Sequence, residues 1–462
     1  MPFFLGVCVQ VELRNVACRI VRADDYERDW LRALLTFRTV GATGVERPMC
    51  LLDEAAQEFP SGFLPIVQTR ASKELRTLDV LDLRPASPAR DESVDVSWLR
   101  DYQRAALEAV CARERGILWL PTAAGKTATA SSIVASFPQA RWLFLVHRLS
   151  LLNQTAESFR RFTSETAGKV GESGWRPRRF TVATFQTLAA RMANSDAEAR
   201  ALLESVDGVI VDEAHALAAS TFTTVMGVAT NARYRIGLSG TPLARGDRKS
   251  SLVVGSTGPV IYRMRPEVLV EREVLARPTI LMVDCWQDEL DDATWPTVYD
   301  RLVVHSARRN ALVVEAVRRS EKPALVFVQA VEHGQVLMRA FARAGLRAGY
   351  VHGAHTTEER EAAIAQLVDG RIEVLVCSVI FQEGVDIPAL RSVVIAAGGQ
   401  STIAAIQRVG RGLRKAEGKD SCMVWEFNDR GQRWLEAHSR ARRLAYQAEG
   451  YEVRVEHLGE TA

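Results

Sequence analysis

The sequence has little excess of either charge: 59 lysines and arginines stand against 56 aspartates and glutamates, a formal net charge of +3. So small a balance does not by itself call for a polyanionic partner, and any surface for nucleic acid has to be local. Paired cysteines are missing too. Seven are present (Cys8, Cys18, Cys50, Cys111, Cys285, Cys377 and Cys422), none in C-x-x-C spacing. That scatter fits neither a disulfide framework nor a zinc site and implies a reducing compartment. No apolar run approaches the roughly 20 residues needed to span a bilayer. The apolar start at residues 3–7 lacks a basic flank and soon meets Gln10, Glu12 and Arg14, so no signal peptide is expected. These absences predict a cytoplasmic chain with no membrane partner. Low-complexity tracts and internal repeats are missing as well.

What is present is apolar material for several cores. Hydrophobic residues make up 47% of the 462 positions, and at about 150 residues per domain the length suggests about three folded units. From Gly116 onward, short apolar runs alternate with amphipathic stretches, the pattern of parallel strands joined by helices. One series of strands falls at 117–120, 142–146, 182–184, 209–211 and 236–238, and a second at 324–328, 349–351, 374–377, 393–395 and 423–425. The stretch 245–309 between them has weak periodicity and several turn residues, and reads as a linker with an irregular approach to the second unit. Before it all, Val7, Val9, Val11 and Leu13 alternate like a strand and residues 26–37 carry helical spacing. A Pro-, Ser- and charge-rich stretch at 84–95 marks a boundary. The prediction is an α/β protein of two tandem parallel-sheet domains, residues 96–275 and 276–462, behind a small N-terminal α+β domain, residues 1–95.

Two motifs carry the chemistry. The strand at 117–120 runs into Pro121, Thr122, Ala123, Ala124, Gly125, Lys126 and Thr127, and then into a helix-forming run from Ala128. This order surrounds an anion with backbone N–H groups and a helix N-terminus. Lys126 would reach the β and γ phosphates of a nucleotide, and the Thr127 hydroxyl would hold Mg²⁺. A strict G-x-x-x-x-G-K-[ST] pattern misses this loop, because Leu120 stands at its first glycine position. Further on, the apolar strand 209–211 ends in Asp212, Glu213, Ala214 and His215. A carboxylate at the carboxyl end of a buried parallel strand beside a phosphate loop is placed to hold Mg²⁺, which suits Asp212. Glu213 is then the candidate base for the attacking water.

These residues resemble superfamily two helicases with a DEAH-type box, and the likeness continues in order from Leu99 to Lys415. Leu99-Arg100-Asp101-Tyr102-Gln103 is similar to the family's adenine-recognising segment, which assigns that role to Gln103. Leu145-Val146-His147-Arg148 and Ala183-Thr184-Phe185-Gln186-Thr187 look like the motifs that face the nucleic-acid backbone, so Arg148, Thr184 and Gln186 are the expected contacts. Gly237-Leu238-Ser239-Gly240-Thr241-Pro242 resembles motif III, which links the nucleotide state to the bound strand; the expected coupling residues are Ser239 and Thr241 in it, His215 of the DEAH-type box, and Gln407. Phe381-Gln382-Glu383-Gly384-Val385-Asp386-Ile387-Pro388 is similar to motif V, with Asp386 expected near the ribose. Gln407-Arg408-Val409-Gly410-Arg411-Gly412-Leu413-Arg414 is similar to motif VI, whose fingers would be Arg411 and Arg414. The resemblance implies two RecA-like domains, ATP and Mg²⁺ as cofactors, and movement along or unwinding of nucleic acid. Three departures stand out: Ala123 where many relatives have glycine, Ser-Gly-Thr in motif III, and Gln407 in place of the histidine usual in DEAD-box RNA helicases. The last, with the DEAH box, favours DNA over RNA and relatives of the phage and repair XPB and UvsW kind. An RNA helicase, or a non-unwinding motor subunit of a restriction, repair or recombination assembly, stays open.

Weaker signals have two readings each. Residues 175–180 interleave Trp175 and Phe180 with arginines, as a strand-gripping surface or a solvated loop. Arg430, Arg433, Arg440, Arg442 and Arg443 could lie along phosphates or on the outer face of a final helix. His352 and His355 lack the further ligands that a metal site needs and read as a loop. The N-terminal domain is expected either to bind duplex or to dock a partner.

Overall fold

The computed structural model describes residues 8–40, 46–147, 149–171, 174–214, 219–240, 250–290, 293–378, 387, 389–399, 401–413 and 415–458. The chain forms two compact units, residues 1–120 with 125–264, and residues 121–124 with 265–462.

The first unit opens with an α+β region. Its strands are β1 (Val9–Leu13), β2 (Ala17–Arg22), β3 (Thr36–Val40), β4 (Glu46–Cys50), β5 (Glu58–Pro60) and β6 (Leu78–Asp82). Val9, Val11 and Leu13 are buried while Gln10 and Glu12 between them are half-buried, the period of two that a sheet with one covered face demands. The sheet order is β5-β2-β1-β6, and β3 and β4 form a separate hairpin. The expected helix covers Asp25–Leu34, its first turn capped by Asp24, whose carboxylate accepts from the Glu27 N–H at 2.8 Å. Leu31, Val67, Phe59 and Phe63 close this core.

A larger sheet follows in the same unit: β7 (Arg115–Trp119), β8 (Trp142–Val146), β9 (Gly168–Gly171), β10 (Gly174–Arg176), β11 (Phe180–Thr184), β12 (Gly208–Asp212), β13 (Tyr234–Ser239) and β14 (Val260–Arg263). Its order is β10-β9-β11-β8-β12-β13-β7-β14. Every pairing is parallel except the β9–β10 hairpin. All five residues of β8 are buried, as expected of a strand covered on both faces by crossover helices. The α+β region is joined to this sheet by Arg115, a residue only 6% exposed. Its guanidinium donates to Ser61 Oγ at 2.7 Å and Asn15 O at 3.4 Å on one side, and to Ser256 O at 3.2 Å and Thr257 O at 3.4 Å on the other. Gly62 makes the same approach possible, since a Cβ there would lie 2.1 Å from Val254 O.

The second unit holds β15 (Arg277–Trp286), β16 (Ala324–Phe327), β17 (Ala348–Val351), β18 (Val374–Cys377), β19 (Ser392–Ile395), β20 (Ser421–Arg430) and β21 (Glu452–Glu456). They are ordered β17-β18-β16-β19-β20-β15-β21, and each pairing is parallel. Two doubly covered parallel sheets behind an α+β region is the architecture read from the sequence.

The stretch 245–309 is a correction. It is not a linker: its described part holds the helix Ser250–Thr257, β14, the helix Pro266–Glu271, β15 and the helix Trp295–Tyr299. β15 is among the longest strands, paired with β20 from Arg277↔Ser421 to Trp286↔Arg430 and on its other side with β21. Its apolar stretch is framed by Pro278 and Asp284, and its burial comes from partners far along the chain, so local periodicity does not reveal it. β9, β10 and β21 were likewise not expected. Among the described residues no helix is long and apolar enough to cross a membrane.

Candidate nucleotide-binding and hydrolysis site

The phosphate loop leaves the carboxyl end of β7 and enters the helix Lys126–Ala135, as the sequence predicts. Leu120 donates to Ser239 O at 3.0 Å, which ties the loop's start to β13. Gly125 is the helix N-cap and sits at φ 81°, in the left-handed region open to glycine. A Cβ at that position would lie 2.3 Å from Gln103 Nε2, so the loop and the expected adenine reader are in close contact. Gln103 itself is 6% exposed, and its Oε1 accepts the Arg100 N–H at 3.0 Å, closing a capping box on the helix Asp101–Arg113. Ala123 adopts φ 66°. That explains the departure noted above: a side chain is carried where glycine is at ease, at a cost of roughly 1–2 kcal/mol.

β12 lies two strands from β7 in the sheet, with β13 between them, and delivers Asp212 and Glu213 to the same edge. Lys126 Nζ and Glu213 Oε1 are 2.6 Å apart, and both side chains are largely buried. Ser239 Oγ stands 3.5 Å from Glu213 Oε2. The Glu213 N–H donates to Asp212 Oδ1 at 3.0 Å, and Glu213 is held at φ 45°. Burial first, and then the Glu213 carboxylate, push Asp212 up to about 6, against the pull of Lys126 and His147. Two carboxylates and one ammonium thus share a partly dehydrated strand-end crevice, the position where open parallel sheets bind ligands. Such a cluster suits a polyphosphate and a divalent cation.

Gln103, Gly125, Lys126, Asp212, Glu213 and Ser239 are therefore brought together, and Thr127 occupies the second position of the loop's helix. Thr184 is 3% exposed and caps the helix Phe185–Ala193, accepting from the Thr187 N–H at 3.3 Å and donating to Thr187 Oγ1 at 2.8 Å. Gln186 donates to His147 O at 2.8 Å, which links the two segments expected to face a strand. Gln407 and Arg411 belong to the helix Thr402–Gly412. The Arg411 side chain, together with Arg148, His215, Thr241, Asp386 and Arg414, lies outside the described residues.

The sequence reading passed over Arg408, the first arginine of the last motif. It is 4% exposed. Burial lowers its pKa, while Tyr446 and Glu426 act to raise it. The arginines of the C-terminal stretch are also largely committed. Arg442 pairs with Glu426, Arg430 with Asp284 at 3.0 Å, and Arg440 with Glu436 at 3.3 Å. Arg442 is a correction to both earlier readings, since it is 1% exposed and lies neither along phosphates nor on an outer face. Trp175 sits in the β9–β10 hairpin beneath Arg191, 4.1 Å from the guanidinium to the ring.

Residues 97–244 match the family of the type III restriction enzyme res subunit, and residues 308–416 match the helicase conserved C-terminal domain. The chain is 27% identical over 377 residues to the DNA 3'-5' translocase XPB2 of Sulfurisphaera tokodaii, covering 71% of this chain and 80% of that one. It is 24% identical over 359 residues to the ATP-dependent DNA helicase UvsW of Enterobacteria phage T4, covering 73% and 69%. Among solved structures it resembles the ATP-dependent type ISP restriction-modification enzyme LlaBIII bound to DNA, with a TM-score of 0.60 and 17% identity over 85% of this chain and 34% of that one. At that identity the likeness is one of fold. With a res-type domain matched on the first parallel sheet and a helicase C-terminal domain on the second, the chain is similar to the superfamily two helicases.

Proposed function

We propose that this chain couples ATP hydrolysis to movement along, or unwinding of, DNA. The observation that supports it most is the Lys126–Glu213 contact of 2.6 Å beside Asp212 and Ser239, at the carboxyl edge of a parallel sheet. In the free site the ammonium neutralises the carboxylate. An incoming γ-phosphate competes for Lys126 and releases Glu213 to face a water molecule. That water attacks the γ-phosphorus as Glu213 takes its proton, the bond to the β–γ bridging oxygen breaks, and ADP and phosphate are formed. Gln103 would read the adenine. Mg²⁺ fits the donor set of Asp212 and Thr127 and would neutralise phosphate charge when bound. Arg411 and Arg414 are the expected fingers that stabilise charge in the transition state, while Ser239, Thr241, His215 and Gln407 would couple it to the strand. Arg148, Thr184 and Gln186 are the expected backbone contacts, with Thr184 acting through the helix it caps, and Asp386 is expected near the ribose.

A second reading draws on the res-subunit match: a motor that translocates on duplex DNA within a restriction or repair assembly without separating strands. ATP turnover measured with duplex DNA, single-stranded DNA, RNA or no polymer tests both. DNA is expected to stimulate, and RNA-only stimulation would sink the proposal. Lys126→Ala should lower turnover by a factor on the order of 100 or more. Glu213→Gln should lower it by roughly 10² to 10⁴. Strand displacement with DNA then separates unwinding from translocation alone.

A further inference from the structure

The helix Thr402–Gly412 bears Gln407, Arg408 and Arg411, and it is entered from β19 through a short connector with an unusual shape. Gly398 and Gly399 both adopt left-handed backbone, at φ 60° and 85°. Ala396 and Ala397 before them are completely buried. Buried carbonyls need donors, and here side chains from three separate parts of the chain supply them. Arg309 Nη1 donates to Ala396 O at 2.8 Å. Tyr299 Oη donates to Ala397 O at 2.9 Å. Arg442 Nη1 donates to Gly399 O. Ser401 then caps the helix, accepting from the Ala404 N–H at 3.2 Å.

The two arginines are themselves held from β20. Asp429 takes Arg309 Nε at 2.9 Å. Glu426 takes Arg442 in fork geometry, Nε at 3.1 Å and Nη2 at 3.2 Å, and accepts Tyr446 Oη at 2.8 Å. Arg309, Arg442, Glu426, Asp429 and Tyr446 are each at most 1% exposed. Buried pairs of this kind add little net stability compared with apolar packing, but they fix a geometry, because each charge tolerates few alternative positions. The same Glu426 and Tyr446 act electrostatically on Arg408 of the arginine-bearing helix. Tyr299 and Arg442 both fall outside residues 308–416, the extent of the matched helicase C-terminal domain.

We infer that Tyr299, Arg309 and Arg442 are positioning residues that clamp the connector before the arginine-bearing helix and so set the rate of ATP hydrolysis without setting the affinity for ATP. The inference rests on the proposed role of Arg411 as a finger. Fingers act in the transition state, so displacing them lowers kcat and leaves KM nearly unchanged.

The test compares steady-state ATPase kinetics of the full chain on DNA for Tyr299→Phe, for the double variant Glu426→Gln with Arg442→Met, and for each combined with Arg411→Ala. Tyr299→Phe keeps the ring and removes one hydrogen bond. The double variant removes both charges of the Glu426–Arg442 pair together, so neither of those two is left facing an uncharged partner. Both are expected to lower kcat roughly tenfold with KM for ATP within about twofold, and Arg411→Ala should cost much less in these backgrounds than in the unaltered chain. Unchanged kcat in variants that only melt earlier would overturn the inference, as would a full Arg411→Ala penalty in every background. An unaltered chain that tolerates Arg411→Ala at full rate would remove the finger role, and the clamp's proposed effect with it.

Discussion

Both units bury arginines that donate to backbone carbonyls, and they differ in whether a carboxylate meets the charge. In the first unit Arg115 and Arg235 have no carboxylate among their described hydrogen-bond partners. Arg235 donates to Ala232 O, Met226 O and Ala229 O, closing the carboxyl end of the helix Ala219–Val228. Burial lowers Arg115 to about 10 and Arg235 to about 9, both still protonated at neutral pH. In the second unit Arg309 and Arg442 meet Asp429 and Glu426. For Arg442 the burial penalty is outweighed by Glu426, Tyr446 and Asp429, which leave it above its ordinary value. The lesson is one of division of labour. Carbonyl-bound arginines join backbone segments, the α+β region to its neighbouring sheet in one case. Carboxylate-bound arginines transmit the position of one strand, β20, to the connector before a functional helix.

The contrast can be broken by mutation. The largest effect is expected from Asp429→Ala, which leaves Arg309 buried without its counter-ion; about 3–5 kcal/mol should be lost from the second unit in denaturant titrations. Arg115→Met strands carbonyls and one hydroxyl but no charge, so a loss of about 1–3 kcal/mol is expected. Faster proteolytic release of the N-terminal 95 residues should accompany it. If the two variants cost the same, the distinction between the arginine classes fails.

Acid should separate the units as well. His333 is buried against Asn310, 3.0 Å from Nε2 to Oδ1. Burial first, and then Arg309 and His305, push it down to about 3 from 6.5. The unfolded chain takes up this proton near pH 6.5 and the folded one only near 3. Stability from this group is therefore complete above 6.5 and lost as the pH falls towards 3, by up to about 1.4 kcal/mol per pH unit. Melting curves of His333→Gln should lack that slope. The smallest effects belong to the helix caps. Thr184→Ala and Ser401→Ala should each cost about 1 kcal/mol, and a larger loss of ATPase rate in Ser401→Ala would sharpen the case for the connector.

Much of the candidate site was legible because its parts are contiguous. Gly125, Lys126 and Thr127 follow a strand and open a helix, and Asp212 and Glu213 end one, so local pattern alone places them. What pattern missed has distant causes. β15 lay inside the stretch read as a linker, since only its pairing with β20 and β21 shows why Ile280, Met282 and Val283 are buried. Arg442 read as one more cation on a polar helix because its partner Glu426 lies in a strand.

The sequence by itself determined the two series of parallel strands, the phosphate loop, the acidic strand end and the order of motifs, because strand period, turn residues and helix starts act within a few positions. Tertiary structure alone decided which charges are buried and what they hold: Arg115 between Ser61 and Ser256, and Arg309 against Asp429. A buried charge is stable only where its partner already stands, and that partner is chosen by the fold and not by neighbours in the chain.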